Sequence, residues 1–175
     1  MTAIKVKKSR HLHETTSGYV ETLLQGEFDI KITKYEDCNG PKRKTCVNSI
    51  VKIVNDVTLA LDYNITQNMK AVKGKITGWI NTNNPLLRIS IKDLCEHIFL
   101  RTVIMTVLNS QDHCAINKGR YQFSVDIQKV SRSFYGSKFM YGNWTFQWNF
   151  YSDVCNMHCG LLCLSMTPTK SNVNV

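Results

Sequence analysis

The sequence "GNWTFQWNFYS" at residues 142–152 alternates large aromatic side chains with polar ones. Trp144, Phe146, Trp148 and Phe150 occupy every second position, and asparagine, threonine and glutamine stand between them. Successive side chains leave a β-strand on opposite faces, so this spacing predicts a strand with four rings on one face. The rings face either a closed core, a partner protein or a cavity that holds a ligand.

Alternation of the same kind recurs along most of the chain. In "EFDIKITKY", for example, Phe28, Ile30 and Ile32 share one face. Further strands are predicted near residues 47–55, 57–66, 70–80, 86–91, 119–128, 141–152 and 158–167. Short strands separated by turn residues predict a mainly β fold, an antiparallel β-sandwich or β-cup of the Ig-like kind.

One segment departs from this alternation. Apolar residues recur at helical spacing after Asp93, which is placed to cap a helix, so we predict one short α-helix at about 93–107. The length of the chain favours a single domain. We expect a polar N-terminal arm at 1–25, a β domain at 26–168 and a polar C-terminal tail at 169–175.

The charge balance constrains the partners. The 175 residues include 22 Lys and Arg against 13 Asp and Glu, a net charge of +9, and part of the excess lies at residues 5–10 and 42–44. A basic balance alone predicts attraction to acidic head groups or a membrane surface, and we expect no nucleic-acid partner. No stretch has the 18 or so apolar residues of a membrane span.

Catalysis is not predicted. The chain has no glycine-rich phosphate loop and no Gly-x-Ser-x-Gly motif, so we expect neither an enzyme nor a cofactor. His113 stands beside Cys114, but adjacent residues on a strand point to opposite faces, and this cysteine is a better disulfide candidate. The other histidines show no recognised spacing with an acidic partner.

Seven cysteines and two glycosylation sequons predict a secreted protein. Asn64 and Asn143 each lie on the polar face of a predicted strand, where a glycan can be accommodated. The first 25 residues contain no apolar run of the length of a signal peptide. Secretion would therefore need a leader outside this sequence or another route.

Three cysteines near the end of the chain raise the alternative of a metal site. Cys155, Cys159 and Cys163 recur at intervals of four, with His158 nearby. This spacing lacks the two-residue interval of common zinc sites. We therefore predict no metal at this position.

Five segments recur in the same order and spacing in one family. They are "YEDC" at 35–38, "DLCEHI" at 93–98, "CAINKGRYQF" at 114–123, "YGNWTFQWNFYS" at 141–152 and "HCGLLCLSM" at 158–166. In these segments and their order the chain resembles the ganglioside-activator-like branch of the lipid-recognition superfamily. Within that branch it is similar to secreted insect chemosensory proteins of the CheA/CheB type. The resemblance implies a β-cup, two splayed antiparallel sheets with a lipid between them.

The resemblance also implies disulfides between Cys38 and Cys159 and between Cys95 and Cys114. A proline usually follows the cysteine at position 114, where this chain has Ala115, and the activator's additional short-loop disulfides have no counterpart here. We therefore carry over the fold and not the ganglioside specificity.

The remaining cysteines are assigned once these two pairs are set aside. We expect Cys46 and Cys155 to form a third pair, because each is close in sequence to a member of the Cys38–Cys159 pair. Cys163 would be a buried free thiol.

In a cup, the aromatic face of the 142–152 strand lines a lipid cavity. The candidate lining residues come from three strands and the predicted helix: Trp144, Phe146, Trp148, Phe150, Tyr121, Phe123, Val125, Leu59, Leu61, Tyr63, Ile98, Phe99 and Met105. The last three would form an apolar lip. We predict a secreted, non-enzymatic protein that carries or presents a lipid or other hydrophobic ligand, in a chemosensory role if it acts as the insect proteins do. The alternative is a ligand-free Ig-like recognition module, whose aromatic face would be dry and closed.

Overall fold

The structure is a computed structural model that describes residues 25–81, 84–98, 100–101, 105, 116–136 and 138–169. In these ranges, the elements with defined bounds are β1 (Gln25–Asp37), β2 (Val47–Asn55), β3 (Thr58–Ile65), β4 (Lys73–Ile80), β5 (Leu87–Ile91), β6 (Gly119–Asp126), α1 (Ile127–Tyr135), β7 (Lys138–Met140), β8 (Gly142–Tyr151) and β9 (Asn156–Pro168). Within the same ranges, no helix has the length and hydropathy needed to cross a bilayer.

The strands form two antiparallel sheets. The larger has the order β5-β4-β8-β9-β1-β7, and the smaller has the order β2-β3-β6. The predicted mainly β sandwich is therefore confirmed. The seven strands whose bounds were predicted begin and end within three residues of those positions, and β7 was not predicted. Alternation located them because each sheet buries one face against the other.

The core lies between the two sheets. Phe28, Ile30 and Ile32 of β1 are buried, and so are Leu59 and Leu61 of β3, which belong to the opposite sheet. This burial of apolar side chains from both sheets is the main stabilising contribution to the sandwich.

A β-bulge interrupts β1 after Ile32. The register with β9 shifts there, so that Lys34 lies opposite Cys163 and Tyr35 opposite Leu162. The bulge turns Tyr35 toward the inside of the sandwich, where it reaches His158.

Helix α1 was not predicted, and the predicted strand at 119–128 ends at Asp126. The Asp126 side chain caps the helix by accepting a hydrogen bond from Lys129 N at 2.8 Å. Gly136 ends the helix with a φ of 83°, a conformation that favours glycine. Asp before and Gly after a nine-residue segment were readable signals.

The helix predicted at 93–107 is helical at Ile98, Leu100, Arg101 and Met105. Residues before Ile98 form turns, and Asp93 Oδ1 accepts a hydrogen bond from Cys95 N at 2.9 Å. The other residues of the predicted range lie outside the described part.

Side chains of α1 hold the helix against β1. The Gln128 amide donates from Nε2 to Phe28 O at 2.8 Å and accepts from Ile30 N at 2.6 Å, as a neighbouring strand would. Arg132 Nη2 also donates to Phe28 O, at 3.1 Å, and pairs with Asp29 at 3.2 Å. These bonds fix the position of α1 on the edge of the larger sheet.

Two disulfides join the N-terminal strands to β9. They are Cys38–Cys159 and Cys46–Cys155, both of which were predicted. Cys95 is also disulfide-bonded, and its predicted partner Cys114 lies outside the described residues. Both described bridges lie at the end of the sandwich opposite α1.

Candidate ligand-binding site

Three of the four rings of β8 lie against a glycine on a neighbouring strand. The facing pairs are Phe146 with Gly78, Phe150 with Gly74, and Trp148 with Gly160. A Cβ added at Gly160 would lie 2.5 Å from the Trp148 ring, and one added at Gly78 would lie 2.9 Å from the Phe146 ring. The rings thus cover the neighbouring strands, and this leaves room between the sheets.

Trp144, the first ring of the row, is closed off. It is only 1% exposed and stacks on Phe146 at a centroid distance of 5.3 Å. Phe139 covers it at 5.0 Å, and its indole N–H donates to Met140 O at 3.0 Å. This end of the aromatic face is ordinary core.

A buried histidine joins the two sheets beside Trp148. His158 of β9 is 5% exposed, and its Nδ1 lies 2.6 Å from the Tyr63 hydroxyl of β3. The Trp148 indole N–H donates to the same Nδ1 at 3.2 Å. On the other side, Nε2 lies 2.9 Å from the Tyr35 hydroxyl, which donates to Asp37 at 2.7 Å. We call these five residues the His158 network.

The donors around His158 decide its protonation. Because an indole N–H can only donate, Nδ1 must accept and the ring proton must lie on Nε2. Burial lowers the pKa of His158, and the carboxylate of Asp37 opposes this effect only in part. Burial likewise raises the pKa values of Tyr63 and Tyr35, so both phenols stay protonated. With His158 and both phenols uncharged, hydrogen bonds between neutral rings join the two sheets here.

An apolar pocket of about 150 Å³ lies between the larger sheet and α1. It is lined by Ile76, Ile89, His97, Leu100, Ile127, Val130, Ser131, Phe134, Tyr135, Phe146, Leu162 and Leu164. The two leucines of β9 and Ser131 are buried and form its floor, while His97, Leu100 and Phe134 are more exposed and form its rim.

The pocket has few polar groups. His97 Nδ1 accepts a hydrogen bond from Leu100 N at 3.4 Å. Burial raises the pKa of Tyr135 to about 12, so its hydroxyl is uncharged. The third polar side chain of the lining is that of Ser131. Such a lining can bind an apolar body and a small number of hydrogen-bonding atoms.

Of the predicted lining residues, Phe146 lines this pocket. Leu59, Leu61 and Tyr63 are buried on the inner face of β3, and Tyr63 belongs to the His158 network, as does Trp148. Apart from the buried Trp144, the other predicted residues are half-buried, exposed or outside the described part of the chain. Phe150, Tyr121, Phe123, Val125 and Met105 are half-buried, Ile98 is 91% exposed, and Phe99 is not described.

Sequence reasoning missed α1 and the isoleucines of β4 and β5 as pocket walls. Ile76 stands between Gly74 and Gly78, so its alternation with glycine was a weaker hydrophobic signal than the aromatic row. No sequence pattern indicated His97 or the His158 network. Contacts between residues such as Tyr63 and His158, 95 positions apart, require the fold.

The prediction that Cys163 is buried is wrong. Buried positions on this part of β9 are Leu162, Leu164 and Met166, and Cys163 points to the opposite, outer face. It is a half-buried free thiol 3.7 Å from Thr145 Oγ1. The alternation of the strand explains the error, because only one parity faces the core.

The alternative metal site has no free thiolate pair, because Cys155 and Cys159 are each in a disulfide. Among the described residues, no group of three or more His, Cys, Asp or Glu side chains could hold a metal ion. Asn64 and Asn143 are both exposed, so both sequons are accessible, while glycosylation itself stays a prediction.

Comparisons with known proteins give no family assignment. No family model matches the chain, and no curated protein matches it. Among solved structures it is similar to a Niemann-Pick type C2 protein from Japanese carpenter ant, with 13% identity over 82% of this chain and 93% of that chain and a TM-score of 0.31. It is also similar to domains d3-d4 of the rat CD45 extracellular region, with 9% identity over 95% and 79% and a TM-score of 0.26. Identities and scores this low carry no argument about this chain.

Proposed function

We propose that this protein binds a lipid or another hydrophobic molecule and carries or presents it without chemistry of its own. The observation that supports this is the apolar pocket between α1 and the larger sheet. A chemosensory role stays a prediction from the sequence resemblance.

The size of the pocket sets the scale of binding. A protein cavity of about 150 Å³ can hold benzene, so about six carbon atoms fit. At about 0.8 kcal/mol per buried methylene, six carbons contribute about 5 kcal/mol before the costs of association. That lies between the roughly 4 kcal/mol of a millimolar complex and the roughly 8 kcal/mol of a micromolar one. A micromolar ligand would therefore also cover apolar side chains on the rim.

The cysteines support an extracellular or luminal compartment. Cys38–Cys159 and Cys46–Cys155 both connect distant strands, and such structural disulfides are typical of oxidising compartments. The exposed asparagines of the two sequons agree with secretion and N-glycosylation.

A basic loop between the two disulfides supports attraction to acidic head groups of a membrane. Lys42, Arg43 and Lys44 lie in this loop, and the buried amide of Asn156 accepts from Lys42 N at 2.8 Å and donates to Lys42 O at 2.6 Å. The loop is therefore held in one conformation with its charges presented to solvent.

A ligand-free recognition module is the second candidate. Trp144 and the His158 network favour it, because Phe139 covers Trp144 and the network joins the face around Trp148 to the opposite sheet. The two functions differ in whether the pocket under α1 takes up a molecule.

Native mass spectrometry of protein secreted from eukaryotic cells, with a signal peptide supplied, tests the proposal. We expect an additional mass that extracts into organic solvent. Ser131→Leu would place a larger side chain in the pocket and remove this mass, together with the uptake of an apolar fluorophore. Ser133→Leu is the matched control, because Ser133 is exposed on the same helix.

Equal uptake by the two variants would place the ligand elsewhere in the molecule. If the unchanged protein has no additional mass and binds no fluorophore, the recognition module becomes the better explanation.

A further inference from the structure

The walls of the pocket are fixed on both sides. Gln128 and Arg132 bond α1 to the edge of β1, and Ile127 N donates to Val57 O at 2.8 Å, which ties the start of the helix to the smaller sheet. Opposite the helix, Phe146 lies against Gly78 and cannot move further into the sheet. The helix and the sheet therefore separate only if these contacts break.

The volume excludes a bulky ligand body. Binding sites that enclose drug-sized molecules occupy about 300–1,000 Å³, at least twice the space under α1. A flexible chain can insert its end and leave the remainder on the rim, whereas a rigid ring system must enter whole. The fixed walls thus select for a narrow, flexible chain.

His97 provides a hydrogen-bond donor at the rim. Its Nδ1 accepts from Leu100 N, so in the neutral ring the proton lies on Nε2. No described residue bonds to Nε2. The half-buried ring can therefore donate to a carbonyl, carboxylate or hydroxyl oxygen of a bound molecule.

We infer that the ligand is an unbranched single-chain amphiphile whose terminal carbons fill the pocket under α1 and whose oxygen-bearing end lies beside His97. Sterols and the joined chains of two-chain lipids do not fit this geometry. This inference rests on the proposed function and names its ligand class.

A displacement series on the unchanged protein tests it directly. The probes are straight-chain carboxylic acids of about six to fourteen carbons, the fluorescent sterol dehydroergosterol and a two-chain phospholipid. We expect the dissociation constant to fall about fourfold per added methylene over the lengths that fill the pocket, and then more slowly. The sterol and the phospholipid should bind at least about a hundredfold more weakly than the best acid.

Two variants test the two parts of the geometry. Phe146→Ala widens the pocket and should raise sterol binding while straight chains lose affinity. His97→Phe should weaken acids about fivefold relative to alkylbenzenes of equal length, whereas His97→Gln, which retains a donor, should preserve most of the difference. Thermal unfolding of each variant confirms that it is folded, and the displacement series itself needs no variant.

Each outcome has one meaning. Sterol binding as tight as that of the acids, or no dependence on chain length, would overturn the inference and leave the proposed function standing. If none of the probes binds, the proposed function fails and the inference fails with it. An unchanged acid preference in His97→Phe would remove His97 from the site.

Discussion

The two parts of the space between the sheets differ in how they are filled. Around His158 the sheets are joined by hydrogen bonds that run from Tyr63 on one sheet to Trp148 and Tyr35 on the other. Under α1, at Phe146, two residues before Trp148 on β8, the sheet faces an apolar pocket. Both parts are built on one alternating aromatic strand, so a hydrophobic row does not by itself make a cavity. Whether this face is closed or open depends on whether hydrogen bonds hold the second sheet against it.

The largest effect should come from breaking the covalent bridge between Cys46 and Cys155. Replacing both Cys46 and Cys155 by alanine opens a loop of 109 residues and should lower the free energy of unfolding by about 4–5 kcal/mol. Urea unfolding of the double variant measures this. The pocket under α1 lies at the other end of the sandwich, so the folded fraction should still take up the apolar fluorophore. Loss of uptake by protein that is still folded would show that the two parts are not independent.

Replacing the histidine should cost less, about 2–4 kcal/mol. His158→Phe removes the acceptor of Trp148 and leaves the Tyr63 hydroxyl buried without its partner. The same denaturation experiment detects the loss. Tyr63→Phe in the His158→Phe background should cost little more, because the two side chains share one hydrogen bond. Additive losses would mean that the network is not the tie between the sheets.

A pair of glycine substitutions compares the two parts directly. Gly160→Ala pushes on Trp148, which is held by His158, and should lower stability by about 1–3 kcal/mol. Gly78→Ala pushes on Phe146, which can shift toward the pocket, so its cost should be smaller while ligand uptake falls. Thermal unfolding and fluorophore uptake measured on both variants separate the effects. The opposite pattern would reverse the roles we assign to the two rings.

The smallest effect concerns pH. Because the pKa of His158 is lowered in the folded protein from its ordinary value of 6.5, the unfolded chain binds the additional proton. The contribution of the neutral His158 to the free energy of unfolding is present above pH 6.5 and is lost as the pH falls below that value. The free energy of unfolding then falls by at most about 1.4 kcal/mol per pH unit. Urea unfolding at several pH values measures the slope. His158→Gln should flatten it, and a slope that persists in this variant would assign the proton to another group.

The sheets were predictable because burial of one face imposes a period of two on the sequence. That period located β2, β3 and β8 closely, and it put Leu59 and Leu61 in the core. Helix α1 was missed because its β-branched and aromatic residues also suit a strand and follow β6 without a break. Only the capping residues Asp126 and Gly136 distinguished this helix from a strand.

The candidate site was predictable only in part. The aromatic row indicated which face of β8 matters, and Phe146 does line the pocket. It could not indicate that Trp148 is bound to a histidine, because that contact depends on the pairing of β8 with β9. The contact of Tyr35 with the same histidine depends in turn on the bulge in β1. Cys163 shows the same limit. Alternate residues of a strand share a face, but a run such as "CGLLCL" is apolar at both odd and even positions, so the pattern does not indicate which face is buried.

The amide of Gln128 has a consequence for self-association. The outer edge of β1 is covered in turn by β7, by this side chain and by the carbonyl of Asp56, which accepts from Ile32 N at 2.6 Å. An uncovered strand edge is a template onto which another chain can add. Any movement that lifts α1 to admit a larger molecule would also withdraw Gln128 and expose that edge. The contacts that fix α1 thus also cover the strand edge onto which another copy could add.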